Sequence, residues 1–512
     1  MRHHFTFLTT LILSIAFTAC TKMRQATEAE LSDFGEYVYA LDTLAMRQQL
    51  KETLRADSNK IVGSEAVKKC YAAFIDDASD APYWFTRMGV SSDADSLLSY
   101  LKQALPANGL DAAAFFIPEI AKDLEIVRKN AYDSLGVSIN DVLPRLDYCL
   151  SRAFITYTVG QRYGFTRPAR LLNHLQYKLN STEYARLFDE EVTAPDAQEA
   201  VKKLAARDRL EYLIASTPIL PLYRTLQQEL AKTTEPEAKK RLAVNLERSR
   251  WQMVRPQEGE RQVLVNIAAQ QLWAIDPDSV LPMRICCGST LTKSPLLHSE
   301  ISHFQVNPQW VIPQTIVKAE VSNHAGDSAY FARNHYYILN RSTGDTLKAA
   351  EVTAAQLKSG RLRVAQFGGP GNSLGRIVFR FPNDFSVYLH DTNNPSAFNR
   401  ERRTLSHGCI RVQKPFELAQ FLLRNADDWT LDRLRLSMDL KPQTERGRNY
   451  QKEHAEEPKP WRLISYQDIK PPVPLYLIYY TTYPNPETGV VETYTDVYNY
   501  DAVLAKEMPI IH

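Results

Sequence analysis

The sequence predicts an α+β protein, with an N-terminal α-helical domain followed by a mainly β domain. Three observations lead there. Up to about residue 250, apolar residues recur at helical spacing. After Arg255-Pro256 they give way to short runs rich in β-branched and aromatic residues. The chain has 512 residues, 44% hydrophobic and 23% charged, an ordinary globular composition whose length alone suggests about three domains. The charge balance is 61 − 59 = +2, which argues against a dedicated nucleic-acid binder. No low-complexity tract or short repeat is visible, and 6 cysteines are too few for a disulfide scaffold.

The first element is an address. Met1-Arg2-His3-His4 is basic, and Phe5 to Ala19 is an uncharged apolar run of h-region length, too short to span a bilayer as a helix. Small residues precede Cys20, as in a bacterial lipoprotein signal. Residues 1–19 are therefore expected to be a signal peptide and Cys20 the lipidated first residue, with simple cleavage and secretion as the alternative. No other segment reaches 18 apolar residues, so no further membrane span is expected.

Residues 20–255 are expected to be the helical domain. Leu146, Cys149, Leu150, Ala153, Phe154 and Tyr157 form one apolar stripe. Leu97, Leu98, Leu101, Ala104 and Leu105 form another, ahead of a Pro106-Asn108-Gly109 break. Leu222, Leu226 and Leu230 mark a third helix, and Leu242, Leu246 and Trp251 a fourth. Residues 256–512 are expected to be the β domain. Strands are predicted at Val263–Ile267, Leu272–Ile275, Ile377–Phe381 and Val387–Leu389. Leu475–Thr482 and Val490–Thr495 flank a hairpin-type loop, Pro484 to Gly489. Of 19 glycines, five (Gly360, Gly368, Gly369, Gly371, Gly375) fall within sixteen residues, marking a specialised loop. It lacks the GK[ST] ending of a phosphate-binding loop.

Leu405-Ser406-His407-Gly408-Cys409-Ile410-Arg411-Val412 carries the chemistry. A cysteine attacks as thiolate and needs a nearby base or positive charge. Two histidines qualify: His407, two residues before Cys409, and His390, at the end of a predicted strand. Gly408 allows a sharp turn that would aim amide N–H groups at a developing oxyanion. The residues alone indicate a cysteine acyl-transfer site, against the bland reading of Cys409 as a small buried hydrophobe.

Ser-His-Gly-Cys-Ile-Arg, with fifteen residues between His390 and Ser406, resembles the active-site signature of the L,D-transpeptidases with a YkuD-type catalytic domain. Gly369–Arg376, Tyr388–Thr392, Asn245–Arg248 with Trp251, Asn307–Ile316 and Thr495–Asp501 resemble the long YcbB-like branch. Weaker echoes of its scaffold domain occur at Pro82-Tyr83-Trp84, Gly109-Leu110, Arg162-Tyr163-Gly164 and Tyr223–Leu226.

The resemblance implies an L,D-transpeptidase catalytic domain over 256–512, with a lid inserted at about 317–366. It implies that Cys409 attacks a peptidoglycan stem peptide, expels D-Ala, forms a thioester and passes the acyl group to a diaminopimelate amine, giving a 3→3 cross-link. It implies His390 as base and acid, with Asp391 beside it and its main-chain carbonyl as the contact. His407 and the Gly408 and Cys409 amides would form the oxyanion site. Arg411 would hold a substrate carboxylate, with Tyr388 and Ser406 in the same cleft. His324, His335, Tyr336 and Tyr337 would mainly shape the lid. No metal or organic cofactor is implied. The expected partners are peptidoglycan stem peptides and cell-wall synthesis proteins, with no nucleic acid, and membrane contact only through the lipid anchor of an exported, periplasmic protein. Only about twenty residues separate Tyr223 from Asn245, too few for the binding module common in the branch. Rival readings are an L,D-carboxypeptidase or hydrolase, a protein-anchoring enzyme, or a non-catalytic cell-wall binder.

The remaining candidates read as structural. Adjacent Cys286-Cys287 with His298 and His303 are poor zinc spacing and read as core packing. Cys149 reads as core, with a possible disulfide to Cys70. His174, His454 and His512 read as surface groups, and Glu258 and Glu260 as a solvated linker.

Overall fold

The computed structural model describes residues 41–510, apart from 59, 77–81, 87, 179–180 and 460. The leader 1–19, Cys20 and His512 lie outside the described residues. The chain forms two compact units. The described part of the first is 41–106, 110–161 and 195–217; that of the second is 107–109, 162–194 and 218–510. No described helix is long and apolar enough to cross a membrane.

The first unit is helical. The predicted stripes are its core: Leu97, Leu101 and Leu105 on Ser92–Ala107, and Leu146, Leu150, Ala153, Phe154 and Tyr157 on Ile139–Tyr163, are all buried. Burial of such stripes, more than propensity, stabilises a helix. The long helix also buries polar groups, each with partners. Asp147 accepts from the Trp84 amide at 2.7 Å, the Tyr83 amide at 3.1 Å and the Tyr71 hydroxyl at 2.5 Å. Burial nonetheless raises its pKa to about 6. Arg152 pairs with Asp57 at 2.9 Å. Cys149 is buried as expected, but Cys70 and Cys149 are both free thiols. The groups that act on them differ: Tyr83 on Cys70, and Asp123, Glu119 and Arg145 on Cys149.

The change from helix to strand falls inside the second unit. Helix Pro236–Arg250 ends at Trp251, and the first long strand begins at Gln262. Ala243, Val244 and Trp251 enter the same core as the strands. The ten-stranded sheet runs in the order Ile377–Arg380, Leu389–His390, Ile410–Val412, Ser279–Gly288, Gln271–Asp276, Gln262–Asn266, Tyr466–Ile478, Leu296–Val306 and Phe188–Asp189. Thr404–Ser406 pairs with Ser279–Gly288, and Leu296–Val306 pairs back to Ile377–Arg380, so eight of the strands close into a ring. Closure leaves few free edges.

The predicted strands are present, with shifts. Val387-Tyr388-Leu389 is a strand only at Leu389–His390, because Asn383 caps the preceding turn through the Phe385 and Val387 amides. In the C-terminal hairpin Val491–Thr493 pairs with Thr482–Pro484, while Leu475–Ile478 lies parallel to Val263–Asn266 in the large sheet. A four-stranded sheet, Thr346–Leu347, Tyr336–Asn340, Leu362–Gln366 and Trp310–Val311, has its own core around Ile316, Val317, Val321, Phe331 and Leu357. This is the inserted element; its sheet already includes Trp310.

Cys286 and Cys287 are both fully buried. Cys287 lies in the main core, and Cys286 lies against Ala397 and Phe398. His298 stacks on Tyr476 and His303 packs at a tilt against Tyr466, rings already engaged in packing. His174 is exposed. His454 is half-buried instead, stacked on Tyr450 at 3.8 Å. Glu258 and Glu260 are exposed.

Candidate active site

Three neighbouring strands build the site. Ile377–Arg380 pairs antiparallel with Leu389–His390, which pairs in parallel with Ile410–Val412. Side chains alternate across a sheet. Phe379, Leu389 and Ile410 therefore point together into the core, fully buried. Arg380, Tyr388, His390 and Arg411 share the opposite face. His390 lies beside Arg411 in the parallel register, and Cys409 immediately precedes Ile410, the partner of Leu389. The two candidate reacting groups thus sit on adjacent chain segments although eighteen residues lie between them.

His390 is 4% exposed. Its Nδ1 lies 2.5 Å from the Asp391 main-chain oxygen. A carbonyl oxygen only accepts, so Nδ1 carries the proton and Nε2 is the basic nitrogen. Burial first, and then the charge of Arg411, lower the His390 pKa to about 3; hydrogen bonds to the Asp391 and Leu374 carbonyls oppose that shift. The imidazole is neutral at physiological pH. The Asp391 carboxylate does not touch the ring. It accepts the Arg376 amide at 2.8 Å and fills the space where a side chain on Gly375 would stand. The glycine-rich segment therefore serves this site: it brings the Leu374 carbonyl and the Arg376 amide against His390 and Asp391.

Cys409 is half-buried, and its thiol lies 3.9 Å from the Ser386 carbonyl. Burial pushes the thiol pKa up, while the Tyr388 amide and the charges of Arg380 and Arg411 pull it down. The resting pair is a neutral thiol and a neutral imidazole.

The turn before Cys409 is tightly held. Ser406 Oγ donates to the Cys409 carbonyl at 2.5 Å and accepts the Gly408 amide at 3.1 Å. Gly408 adopts φ +115°, a conformation that favours glycine. Its amide is thereby occupied, whereas the Cys409 amide has no acceptor among the described residues. Ser406 is thus part of the framework of the turn.

Several supporting residues come from segments far from the Cys409 turn in the chain. Buried Ser294 donates to the Gly408 carbonyl at 2.7 Å and accepts the Gly288 amide at 2.9 Å. Thr292 Oγ1 donates to the Ser406 carbonyl at 2.9 Å. Tyr498 donates to the Gly288 carbonyl at 2.7 Å and accepts the Ser294 amide at 3.1 Å.

His407 points elsewhere. Its side chain is 43% exposed, and Nε2 lies 2.6 Å from Oε1 of Glu320 in the inserted element. Of the two candidate bases, His390 is the buried one. His324 stacks on Tyr330 at 3.8 Å, Tyr336 packs against Phe331, and Tyr337 stacks on Phe367 at 4.4 Å, all contacts internal to the insertion and its exit. His335 adopts φ +54° and lies against Gly371. Arg411 is half-buried and makes no ion pair among the described residues. Its guanidinium is available to an anion. Among the described residues, no group of three or more His, Cys, Asp or Glu side chains could hold a metal ion.

Comparison with known proteins finds likenesses to two domains and to a relative. Residues 260–428 match the family model of the L,D-transpeptidase catalytic domain, YkuD. Residues 69–230 match a scaffold domain. A Haemophilus influenzae (strain Rd) protein named "Putative L,D-transpeptidase" is 29% identical over 333 residues, 64% of this chain and 58% of its own length. The chain thus spans 58% of the relative it matches. Helix Pro236–Arg250 occupies the stretch between the two matched regions. The chain joins a scaffold domain to a catalytic domain of the YkuD L,D-transpeptidase family.

Proposed function

We propose that this protein is a peptidoglycan L,D-transpeptidase. The observation that supports it most is the placement of a buried histidine, its Nδ1 at the Asp391 carbonyl, and a cysteine on adjacent chain segments, beside an arginine that forms no ion pair among the described residues.

The reaction runs in two halves. Nε2 of His390 takes the Cys409 proton, and the sulfur attacks the diaminopimelate carbonyl of a tetrapeptide stem. The oxyanion is met by the Cys409 amide, which has no acceptor among the described residues, and by any further donor that substrate binding frees. The imidazolium protonates the leaving amine, the peptide bond breaks, and D-Ala departs from a thioester on Cys409. The side-chain amine of a second diaminopimelate then attacks the thioester and gives its proton to His390. The thiolate leaves, reprotonation restores the thiol, and a 3→3 cross-link remains.

The resting electrostatics suit a substrate-triggered site. With no anion bound, Arg411 opposes protonation of His390. A substrate carboxylate on Arg411 offsets that charge, raises the basicity of Nε2 and assists deprotonation of Cys409. The enzyme is proposed to act as an exported, periplasmic, lipid-anchored protein whose partners are peptidoglycan stems and cell-wall synthesis proteins.

The test is incubation with disaccharide-tetrapeptide, followed by mass spectrometry of products and protein. D-Ala release, an acyl adduct on Cys409 and cross-linked dimers are expected, all lost in Cys409→Ala. Tripeptide without dimers would favour a carboxypeptidase, and no adduct at all would favour a non-catalytic binder.

A further inference from the structure

Buried and half-buried arginines elsewhere in the second unit have defined structural partners. Arg376 pairs with Asp439 at 2.6 Å. Arg403 donates to the main-chain carbonyls of Ile285, Gln270, Arg400 and Glu401. Arg284 donates to the Phe398 carbonyl at 3.1 Å. Half-buried Arg380 differs. It makes no ion pair among the described residues, and its polar side-chain contact is the neutral Gln305 Oε1 at 3.4 Å. Its guanidinium lies 3.9 Å from the centroid of the Tyr388 ring, which holds it in place and leaves most of its donors unspent.

Register places that guanidinium on the site. Val378 pairs with His390 and Phe379 with Leu389, so Arg380 stands across from Tyr388 on the face that carries His390 and Arg411. Its charge reaches both Cys409 and His390. On the His390 side of Arg380, the strand positions of this face, Val378, Tyr388, His390 and Arg411, include no acidic residue, whereas on its other side the register places His303 and, one strand further, Asp468. Two cations that form no ion pair among the described residues therefore border one thiol, Arg411 two residues after it and Arg380 across Tyr388.

We propose that Arg380 is a second substrate-carboxylate anchor, acting with Arg411 to select a donor that presents two carboxylates near the scissile bond. The inference rests on the acyl-transfer reading of Cys409. A tetrapeptide stem meets the requirement, since the terminal D-Ala and the distal centre of diaminopimelate each carry one. Arg380 is a binding and specificity residue and takes no part in proton transfer. The bidentate fork makes Arg→Lys a poor replacement at such a site.

The experiment measures acylation of Cys409 in the full chain by intact mass, for wild type, Arg380→Gln and Arg380→Lys. Three donors are compared: the tetrapeptide stem, the stem amidated at the diaminopimelate side-chain carboxylate, and the stem amidated at D-Ala. Arg380→Gln should weaken use of the unmodified stem by about tenfold more than use of one of the two amidated stems, mainly through KM. Arg380→Lys should recover part of that difference. An equal loss on all three donors would indicate a purely structural role and overturn the proposal. Failure of the wild type to acylate with any donor would instead overturn the transpeptidase reading on which it rests.

Discussion

Nδ1 of His390 is held 2.5 Å from the main-chain oxygen of Asp391, so a carbonyl rather than a carboxylate selects the tautomer. A carboxylate there would stabilise an imidazolium. A carbonyl orients the ring, and burial first, then the charge of Arg411, keep it neutral with its pKa lowered to about 3. The Asp391 side chain is free to fasten the glycine-rich loop at the Arg376 amide.

That lowered pKa makes stability depend on pH. As pH falls through 6.5 the unfolded chain protonates this histidine, while the folded chain does not until about 3. The contribution is present above 6.5 and is lost progressively toward 3. At pH 5 the loss is about 2 kcal/mol from this group. Urea unfolding at pH 7.5 and 5.0 should show a smaller difference for His390→Gln than for wild type. Equal differences would show that the histidine is not held neutral.

The Cys409 thiol should alkylate slowly at neutral pH. Its pKa lies above the ordinary 9.0, with burial the main cause and Arg411 a restraining one. Iodoacetamide labelling should reach half its limiting rate above pH 9, and Arg411→Gln should move that point higher. Full-rate labelling at pH 7 would mean a thiolate–imidazolium pair instead.

Two glycines separate backbone strain from a local clash. Gly375 and Gly489 both have positive φ, but a Cβ on Gly375 would stand 2.4 Å from the Asp391 carboxylate, whereas none would be near on Gly489. Gly489→Ala should cost roughly 1–2 kcal/mol and keep acylation at the wild-type rate. Gly375→Ala should cost more and reduce acylation at least about tenfold, because Asp391 carries the carbonyl that orients His390. Thermal melting and the acylation assay together decide it; equal behaviour of the two variants would refute the coupling.

Ser294 is fully buried between the Gly288 amide and the Gly408 carbonyl. Ser294→Ala strands both groups and should cost about 1–3 kcal/mol, with slower acylation, since the turn before Cys409 loses its support. Unfolding curves and the acylation rate measure the two effects. A neutral result would mean that water replaces the hydroxyl.

The Glu320–His407 contact is surface-exposed, with side chains 53% and 43% accessible. Glu320→Gln should therefore change global stability by less than about 1 kcal/mol. Amide hydrogen exchange over 314–324 should still accelerate, by up to about fivefold, because this contact ties that segment to the Cys409 turn. Unchanged exchange would remove it as a tether of the insertion.

Much of the fold was legible. The stripe from Leu146 to Tyr157 and the run Ile377–Phe381 announce themselves, because burial on one face imposes a period on neighbouring residues. Cys409 and His390 were legible as chemistry, one from its Ser-His-Gly-Cys setting and one from its place at a strand end. The pairing of Leu475–Ile478 with Val263–Asn266 was not, nor was the short reach of the strand at His390. Sequence pattern marks which residues prefer extended backbone, but not which distant strand completes their hydrogen bonds. Ser294 supports the Gly408 carbonyl across 114 residues of chain, and no local pattern marks it; Tyr498 lies in the Thr495–Asp501 block, but nothing local shows its bond to the Ser294 amide, 204 residues away.

By itself, then, the sequence determined the class of elements, the α+β order and the residue types able to perform acyl transfer. Those properties follow from local periodicity and side-chain chemistry. Tertiary structure alone decided which histidine is buried beside the thiol, which nitrogen carries its proton, and that Gly408 spends its amide while Cys409 does not. It also left Arg380 and Arg411 without an ion pair among the described residues, on the face that carries His390. Each of these depends on how burial and hydrogen-bond partners are shared among segments far apart in the chain, which becomes defined only when the sheet closes.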